Sequence, residues 1–248
     1  MVRQHVGHRR PRDDALSTAA PGAVELLCRI RTVLLDFDGP VCSIFAGYPA
    51  PDVADELAAL SAAAGHKVPD HHLVNRDPLD VLRFAGTVGP DLTVLIEREL
   101  TRAEVKAVDT AEATPGAEAF LTACASTGRT VAVVSNNSAA AVVRYLKRTG
   151  WTDLVTLVEG RDPSDPRLMK PHPHVLLRTL HDLPAPAESA LIVGDSVTDV
   201  EAGLAADVWT LGYANKPGKD EAFRDAGADI VVGSMTELAE ATGRTPPP

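Results

Sequence analysis

The sequence predicts an α/β fold, a doubly wound and mostly parallel sheet with helices on both faces, and three observations carry that prediction. Short β-branched runs alternate with helical patterns along most of the 248 residues. Several of those runs end in polar residues, at the edge where open α/β sheets bind ligands. One interval of about a hundred residues after the first run holds helical patterns and no strand, which reads as a helical insertion rather than part of the sheet.

Taken in order, the first two dozen residues mix Arg, His, Pro and Asp without periodicity, and the chain closes on Arg244-Thr245-Pro246-Pro247-Pro248, so both ends are expected to be loose. The first strand spans Thr32 to Leu35. In the insertion, Asp52 is a candidate cap for a helix carrying Val53, Leu57 and Leu60 that ends at Gly65. Pro78 to Phe84 forms a second helix, and Pro90 opens a third through Leu95, Ile96 and Leu100. Strands are then predicted at Thr130 to Val134, Leu154 to Val158, Leu191 to Val193, Val208 to Leu211 and Ile230 to Val232. Helices fall at Ala139 to Arg148, Pro173 to Leu180 and Asp199 to Ala205. The expected division is a loose segment over 1–28, a core over 29–44 and 111–240, a helical unit over 45–110 and a tail over 241–248. Trp151 and Trp209 read as core residues.

Composition narrows the function. A net charge of -10 argues against nucleic-acid or anionic-lipid partners. No stretch approaches the roughly 18 apolar residues of a membrane span, and the N-terminal residues lack the apolar middle of a secretory signal. The three cysteines, Cys28, Cys42 and Cys124, form no CxxC pair and suit a reducing cytosol. Arginine outnumbers lysine eighteen to six, so a well-placed lysine is informative.

The first strand runs into Asp36-Phe37-Asp38-Gly39-Pro40. Two carboxylates two residues apart repel unless a cation lies between them or one holds a proton, and a hard divalent ion relieves that repulsion. The run from Val131 to Val134 ends in Ser135-Asn136-Asn137, where a hydroxyl and backbone amides can meet phosphate oxygens; Asn137 or Ser138 can also cap the next helix. Leu191 to Val193 ends in Gly194-Asp195-Ser196, with Asp199 one helical turn behind Asp195, placed to support it. Lys170, before Pro171 at the head of a helix, supplies a cation.

Together these residues resemble the four motifs of the haloacid dehalogenase-like (HAD) superfamily, phosphoglycolate phosphatase and β-phosphoglucomutase-like branch. DxDG matches Asp36 to Gly39, the serine after an apolar strand matches Ser135, the lysine before proline matches Lys170, and GDxxxD matches Gly194, Asp195 and Asp199. Pro40 departs from the usual Thr or Val and brings neither a hydroxyl nor an amide hydrogen. The resemblance implies a Rossmann-like core and reads the helical interval as the family's first type of cap. It further implies that Asp36 is a nucleophile forming an aspartyl-phosphate and that Asp38 is the acid and then the base. Ser135, Asn136 and Lys170 would bind phosphate. Magnesium would be held by Asp36, the Asp38 carbonyl and Asp195, with Asp199 behind them. The substrate would be a small phosphorylated metabolite, hydrolysed by a cytoplasmic phosphatase; a sugar phosphomutase of the β-phosphoglucomutase type shares the same motifs. An acid at position 38 favours phosphate esters over the dehalogenases and phosphonate hydrolases.

Other polar residues have weaker patterns. His172 and His174 flank Pro173 and lack a third soft ligand nearby, so they read as framing the lysine loop rather than as a zinc site. His71, His72, Asn75, Arg76 and Asp77 form a polar run that can either contact a leaving group or remain a solvated loop.

Overall fold

The structure is a computed structural model and describes residues 20–245. Its sheet is built around β1 (Thr32–Leu35), which pairs in parallel with β2 (Thr130–Val134) on one side and β4 (Ala190–Gly194) on the other. With β3 (Leu157–Glu159), β5 (Trp209–Tyr213) and β6 (Ile230–Val232), the order is β3-β2-β1-β4-β5-β6, every pairing parallel. The chain thus runs outward from β1 through β2 and β3, then returns to β1's other side at β4. That reversal is a topological switch point, where neighbouring loops part and leave a crevice beyond the strands' carboxyl ends.

The strand residues divide by parity between two apolar clusters, because successive side chains of a strand point to opposite faces. Val33, Leu35, Val131, Val133, Leu191 and Val193 pack with α1 (Ala20–Leu27), α5 (Ala117–Ser126), α6 (Ala139–Thr149) and α10 (Met235–Gly243). Leu34, Ala132, Val134 and Ile192 pack with α7 (His174–Asp182) and α8 (Val197–Ala205). The short α9 (Lys219–Asp225) seats Phe223 against Gly212 of β5. Between β1 and β2 lie α2 (Ala50–Ala63), α3 (Pro78–Val88) and α4 (Pro90–Ala107), which bury Val53, Leu57, Leu82, Ile96 and Leu100 in a third cluster that also takes in Met169. No helix among the described residues is long and apolar enough to cross a membrane.

Several elements differ from the sequence reading. Residues 1–19 and 246–248, read there as loose, lie outside the described residues, but both flanking segments are packed. In α1, Leu26 and Leu27 are buried, each worth about 1.5–3 kcal/mol, which stabilises this short helix. Buried Arg129 fastens both ends, donating to the Leu27 carbonyl at 2.8 Å and to the Thr245 hydroxyl at 2.6 Å. Residues 152–154 form a 3-10 turn instead of the start of β3, because Gly150 closes α6 in the left-handed region and Trp151 packs edge-on against Tyr145. The strand begins three residues later and runs on to Glu159, which is held by Arg178. Asp52 is not the cap of α2; Pro49 occupies that position and Asp52 lies in the first turn, where its charge complements the helix dipole. Helix α3 runs to Val88 with Asp77 as its cap, and α8 starts at Val197 because Ser196 and Asp199 form a reciprocal capping box. Trp151 is buried as expected, whereas Trp209 is only partly so and donates to the Glu188 carbonyl.

Candidate active site

Asp36 follows β1 directly, its amide donating to the Val193 carbonyl of β4 at 2.9 Å, so it sits on the switch point. Asp195 leaves β4 beside it. Lys170 arrives from the loop before α7 and is 2% exposed; its Nζ lies 2.8 Å from Asp36 Oδ1 and 2.6 Å from Asp199 Oδ1, and donates to the Val134 carbonyl at 3.1 Å. Among the described residues, the acids that can share one cation are Asp36, Asp195 and Asp199, whose ligand atoms lie within 4.8 Å of one another. This donor set is all oxygen, and its three carboxylates outnumber the two ammonium groups that touch them, Lys170 and Lys219. It therefore fits a hard divalent ion such as magnesium.

The electrostatics follow from burial. Desolvation, then the Asp199 charge, push Asp36 above the usual carboxylate range, while Lys170 opposes both. Burial alone would lower the Lys170 ammonium, but Asp199 and Asp36 more than reverse it and hold the lysine charged. Asp199 thus acts chiefly on Lys170, and its other oxygen accepts the Ser196 amide at 3.0 Å. Asp195 is braced differently: Lys219 Nζ lies 2.6 Å from its Oδ2, and Asn215 Nδ2 donates to the same oxygen at 3.0 Å.

Asp38 lies two residues further along, in the loop that follows β1. Its carboxylate is open to solvent on one side and crowded by protein elsewhere, and that desolvation lifts its pKa to about 6. The Ile44 amide, donating to Oδ1 at 3.0 Å, opposes the shift and fixes the side chain. The charges of Asp77, at the start of α3, and of Lys216, beyond β5, are also felt there. Gly39 turns the chain at φ +99, and a Cβ on it would overlap the Asp195 carboxylate. Pro40 is accommodated because the loop closes through its neighbours: Gly39 donates to the Cys42 carbonyl at 2.7 Å, and Val41 and Cys42 both donate to Phe37. Thr114 Oγ1 clamps the Gly39 carbonyl at 2.5 Å.

Ser135 follows β2, the neighbour of β1, and is 1% exposed. Its hydroxyl donates to Asn137 Oδ1 and accepts from the Asn137 amide, both at 3.1 Å. The Asn136 side chain makes a two-way clasp with the Lys170 main chain, accepting from its amide at 2.8 Å and donating to its carbonyl at 3.1 Å. Its amide group is thereby used to place the lysine, which leaves backbone groups to meet a ligand. Ser138 caps α6.

Of the remaining sequence candidates, Asp77 caps α3 and its charge reaches Asp38. His172 accepts the His174 amide, and neither ring belongs to a metal-capable group among the described residues. His71 stacks on His72, which leans on Phe84, while Arg76 pairs with Asp55 on the outer face of the helical insertion. Sequence reasoning missed Asn215, Lys219 and Thr114. The scarcity of lysine, which singled out Lys170, was a signal for Lys219 as well.

Comparison with known proteins agrees with this geometry. The profile of the haloacid dehalogenase-like hydrolase family matches residues 30–207. A phosphoglycolate phosphatase of Cupriavidus necator is 30% identical over 239 residues, covering 87% of this chain and 93% of its own. One from Psychrobacter arcticus is 28% identical over 231 residues, covering 80% and 93%. Among solved structures, a predicted phosphatase from Clostridium acetobutylicum superposes with a TM-score of 0.66 at 20% identity, covering 85% of this chain and 97% of that one. CbbY from Rhodobacter sphaeroides in complex with phosphate gives 0.64 at 18%, covering 84% and 96%. The matched profile takes in Asp36, Ser135, Lys170, Asp195 and Asp199, the side chains that the sheet's switch point draws to one edge, and the chain belongs to the haloacid dehalogenase-like hydrolase family.

Proposed function

We propose that the protein is a magnesium-dependent phosphatase that hydrolyses a small phosphate monoester through an aspartyl-phosphate on Asp36. The observation that carries this reading is the buried Lys170 ammonium, held 2.8 Å from the carboxylate that directly follows β1 at the switch point of the sheet. Asp36 attacks phosphorus as the bond to the ester oxygen breaks, and Asp38 gives its proton to the departing alkoxide. Asp38 then takes a proton from water, which attacks phosphorus, breaks the bond to Asp36 and releases inorganic phosphate. Lys170 and the Ser135 hydroxyl meet the charge spread over the equatorial oxygens. Asp36, Asp195 and the Asp38 carbonyl would hold magnesium. Bound there, the ion supplies the positive charge that offsets repulsion between a carboxylate and a dianionic phosphate. Asp199 keeps Lys170 in place.

In this reading residues 45–110 form a cap over a core made of 29–44 and 111–240, as the separate apolar cluster of α2, α3 and α4 supports. The two aligned relatives are named phosphoglycolate phosphatases, and exposed Lys216, whose charge reaches Asp38, suits a leaving group that carries an anion. A metabolite phosphatase of this kind suits the cytoplasm, where three free cysteines remain reduced.

The test is a panel of phosphate esters, including phosphoglycolate, sugar phosphates and nucleotides, assayed for inorganic phosphate with magnesium and again with chelator. Release confined to the magnesium arm, and abolished by Asp36→Asn, is the expected result. No release in either arm refutes the phosphatase. Isomerisation of a sugar phosphate that depends on a bisphosphate, with little free phosphate, refutes it in favour of a mutase.

A further inference from the structure

Glu104, in the last turn of α4, is completely buried, yet nothing in the mechanism uses it. Its carboxylate collects three donors from two distant segments. Oε1 accepts from Arg161 Nη1 at 2.6 Å and from Asn137 Nδ2 at 3.1 Å, while Oε2 accepts the Ser138 amide at 2.9 Å. Arg161 is equally buried, and from it Nε and Nη2 reach Glu97 at 2.6 and 3.1 Å, Nη2 reaches Thr101 at 3.2 Å and Nη1 reaches the Asn136 carbonyl at 3.0 Å. Burial opposes the charge on Arg161, but Glu104 and then Glu97 keep it ionised; burial also pushes Glu97 upward against the pull of the arginine. The approach is tight: a Cβ on Gly160 would overlap the Ala139 amide and the Asn137 carbonyl, so glycine there lets residue 161 lie against the start of α6.

These contacts have a directional consequence. A carboxylate facing Asn137 can only accept, so the amide nitrogen of Asn137 must point to Glu104 and its oxygen must point to Ser135. The Ser135 hydroxyl is then oriented by that oxygen and by the Asn137 backbone amide. We propose that Glu104 is a positioning residue for phosphate binding: through Asn137 and the Ser138 amide it sets the orientation of the Ser135 hydroxyl and the path of the 135–138 loop, with Arg161 holding its carboxylate in place from the other side. The inference rests on the reading of Ser135 as a phosphate ligand. It also ties the helical insertion to that loop, because α4 carries Glu97 and Glu104 on one helix that packs Leu92, Ile96 and Leu100 in the insertion's cluster and Ala107 in the main one.

The experiment measures competitive inhibition by inorganic phosphate during hydrolysis of p-nitrophenyl phosphate, with magnesium, for the full chain and for Glu104→Gln, Asn137→Ala, Ser135→Ala and the Glu104→Gln/Ser135→Ala pair. A glutamine presents one acceptor oxygen and an NH2 group to three donors, so at least one buried donor loses its partner. Glu104→Gln is expected to raise the phosphate inhibition constant about 10–100-fold, the range for a residue that orients a ligand-binding group. Asn137→Ala, which leaves the Glu104–Arg161 pair intact, should do the same. In the Ser135→Ala background, Glu104→Gln should add almost nothing, because the interaction it serves is gone. Fully additive effects in the double variant, or a Glu104→Gln enzyme with a lower melting temperature and an unchanged constant, overturn the proposal. If Glu104→Gln does not fold, an unchanged constant in Asn137→Ala overturns it alone. A Ser135→Ala enzyme with the wild-type constant removes the premise and the proposal together, while a wild type that hydrolyses no ester refutes the phosphatase reading itself.

Discussion

Replacing Lys170 with methionine keeps an unbranched side chain one atom shorter and removes a charge that sits 2.8 Å from Asp36 and 2.6 Å from Asp199. At an effective dielectric of about 20, each contact has a Coulomb energy of about 6 kcal/mol. Most of that is offset by the cost of desolvating the ions, and breaking a buried pair costs about 3–5 kcal/mol net. For a chain of this size 1 kcal/mol moves the melting temperature by about 2–4 °C, so the variant should melt about 6–20 °C lower at alkaline pH. The loss has a signature that simple cavity formation lacks. Asp36 already binds a proton more tightly in the folded protein than in the unfolded chain, through burial and the Asp199 charge, and removing Lys170 strengthens that preference. A carboxyl group with a raised folded pKa contributes stability at low pH that disappears as pH rises through the folded value. The difference in melting temperature between Lys170→Met and wild type, followed by calorimetry or circular dichroism, should therefore be largest at alkaline pH and shrink as pH falls towards about 8, the folded value of Asp36 with its lysine in place. Saturating magnesium should shrink it too, since a cation among the carboxylates replaces part of the missing charge. Turnover should fall by about 10²–10³, as for loss of one preorganised donor at a transition state. A difference that stays constant with pH and magnesium would refute the electrostatic account of this site.

Three further outcomes follow from the same geometry. Gly39→Ala forces alanine into the left-handed region, at about 1–2 kcal/mol, and drives its methyl into the Asp195 carboxylate; weaker magnesium activation with only a modest drop in melting temperature is expected, and unaltered activation would count against that crowding. Magnesium at about 100 times its dissociation constant should stabilise the wild type by about 2.7 kcal/mol and Asp195→Asn by much less, as differential scanning fluorimetry will read; equal shifts would remove Asp195 from the metal site. With an alkyl phosphate, kcat should decline as pH rises through the Asp38 pKa of about 6, because the proton needed by the leaving alkoxide is then lost. With p-nitrophenyl phosphate, whose leaving group needs no proton, that limb should flatten; parallel limbs for both substrates would argue against Asp38 as the acid.

The helical insertion is bound to the core by more than its two chain connections. Between β3 and Lys170 the chain sends Arg161 to Glu97 and Glu104, lays Pro166 close to Gly86 of α3, and buries Met169 in the insertion's apolar cluster. The residue next in sequence to Met169 is Lys170, so the packing of the insertion bears directly on the placement of the buried ammonium.

Much of this was legible in the residue order. Thr32–Leu35, Thr130–Val134 and Ile230–Val232 are strands at the predicted bounds, since a run of β-branched residues closed by turn formers is a local signal. The convergence of Asp36, Asp195 and Lys170 was equally legible, because parallel strands in one sheet place their carboxyl ends, and whatever residues follow them, along one edge. Tertiary packing decided the rest. It made α1 a helix by burying Leu26 and Leu27, and it moved the start of β3 past the turn that Gly150 and Trp151 impose. Lys219 was brought to Asp195 and Arg161 to Glu104 across 24 and 57 positions. Such pairings carry no period that a reader of the chain can detect: a buried ion finds its partner through the fold's closure, and only the assembled shape says which carboxylate faces which cation.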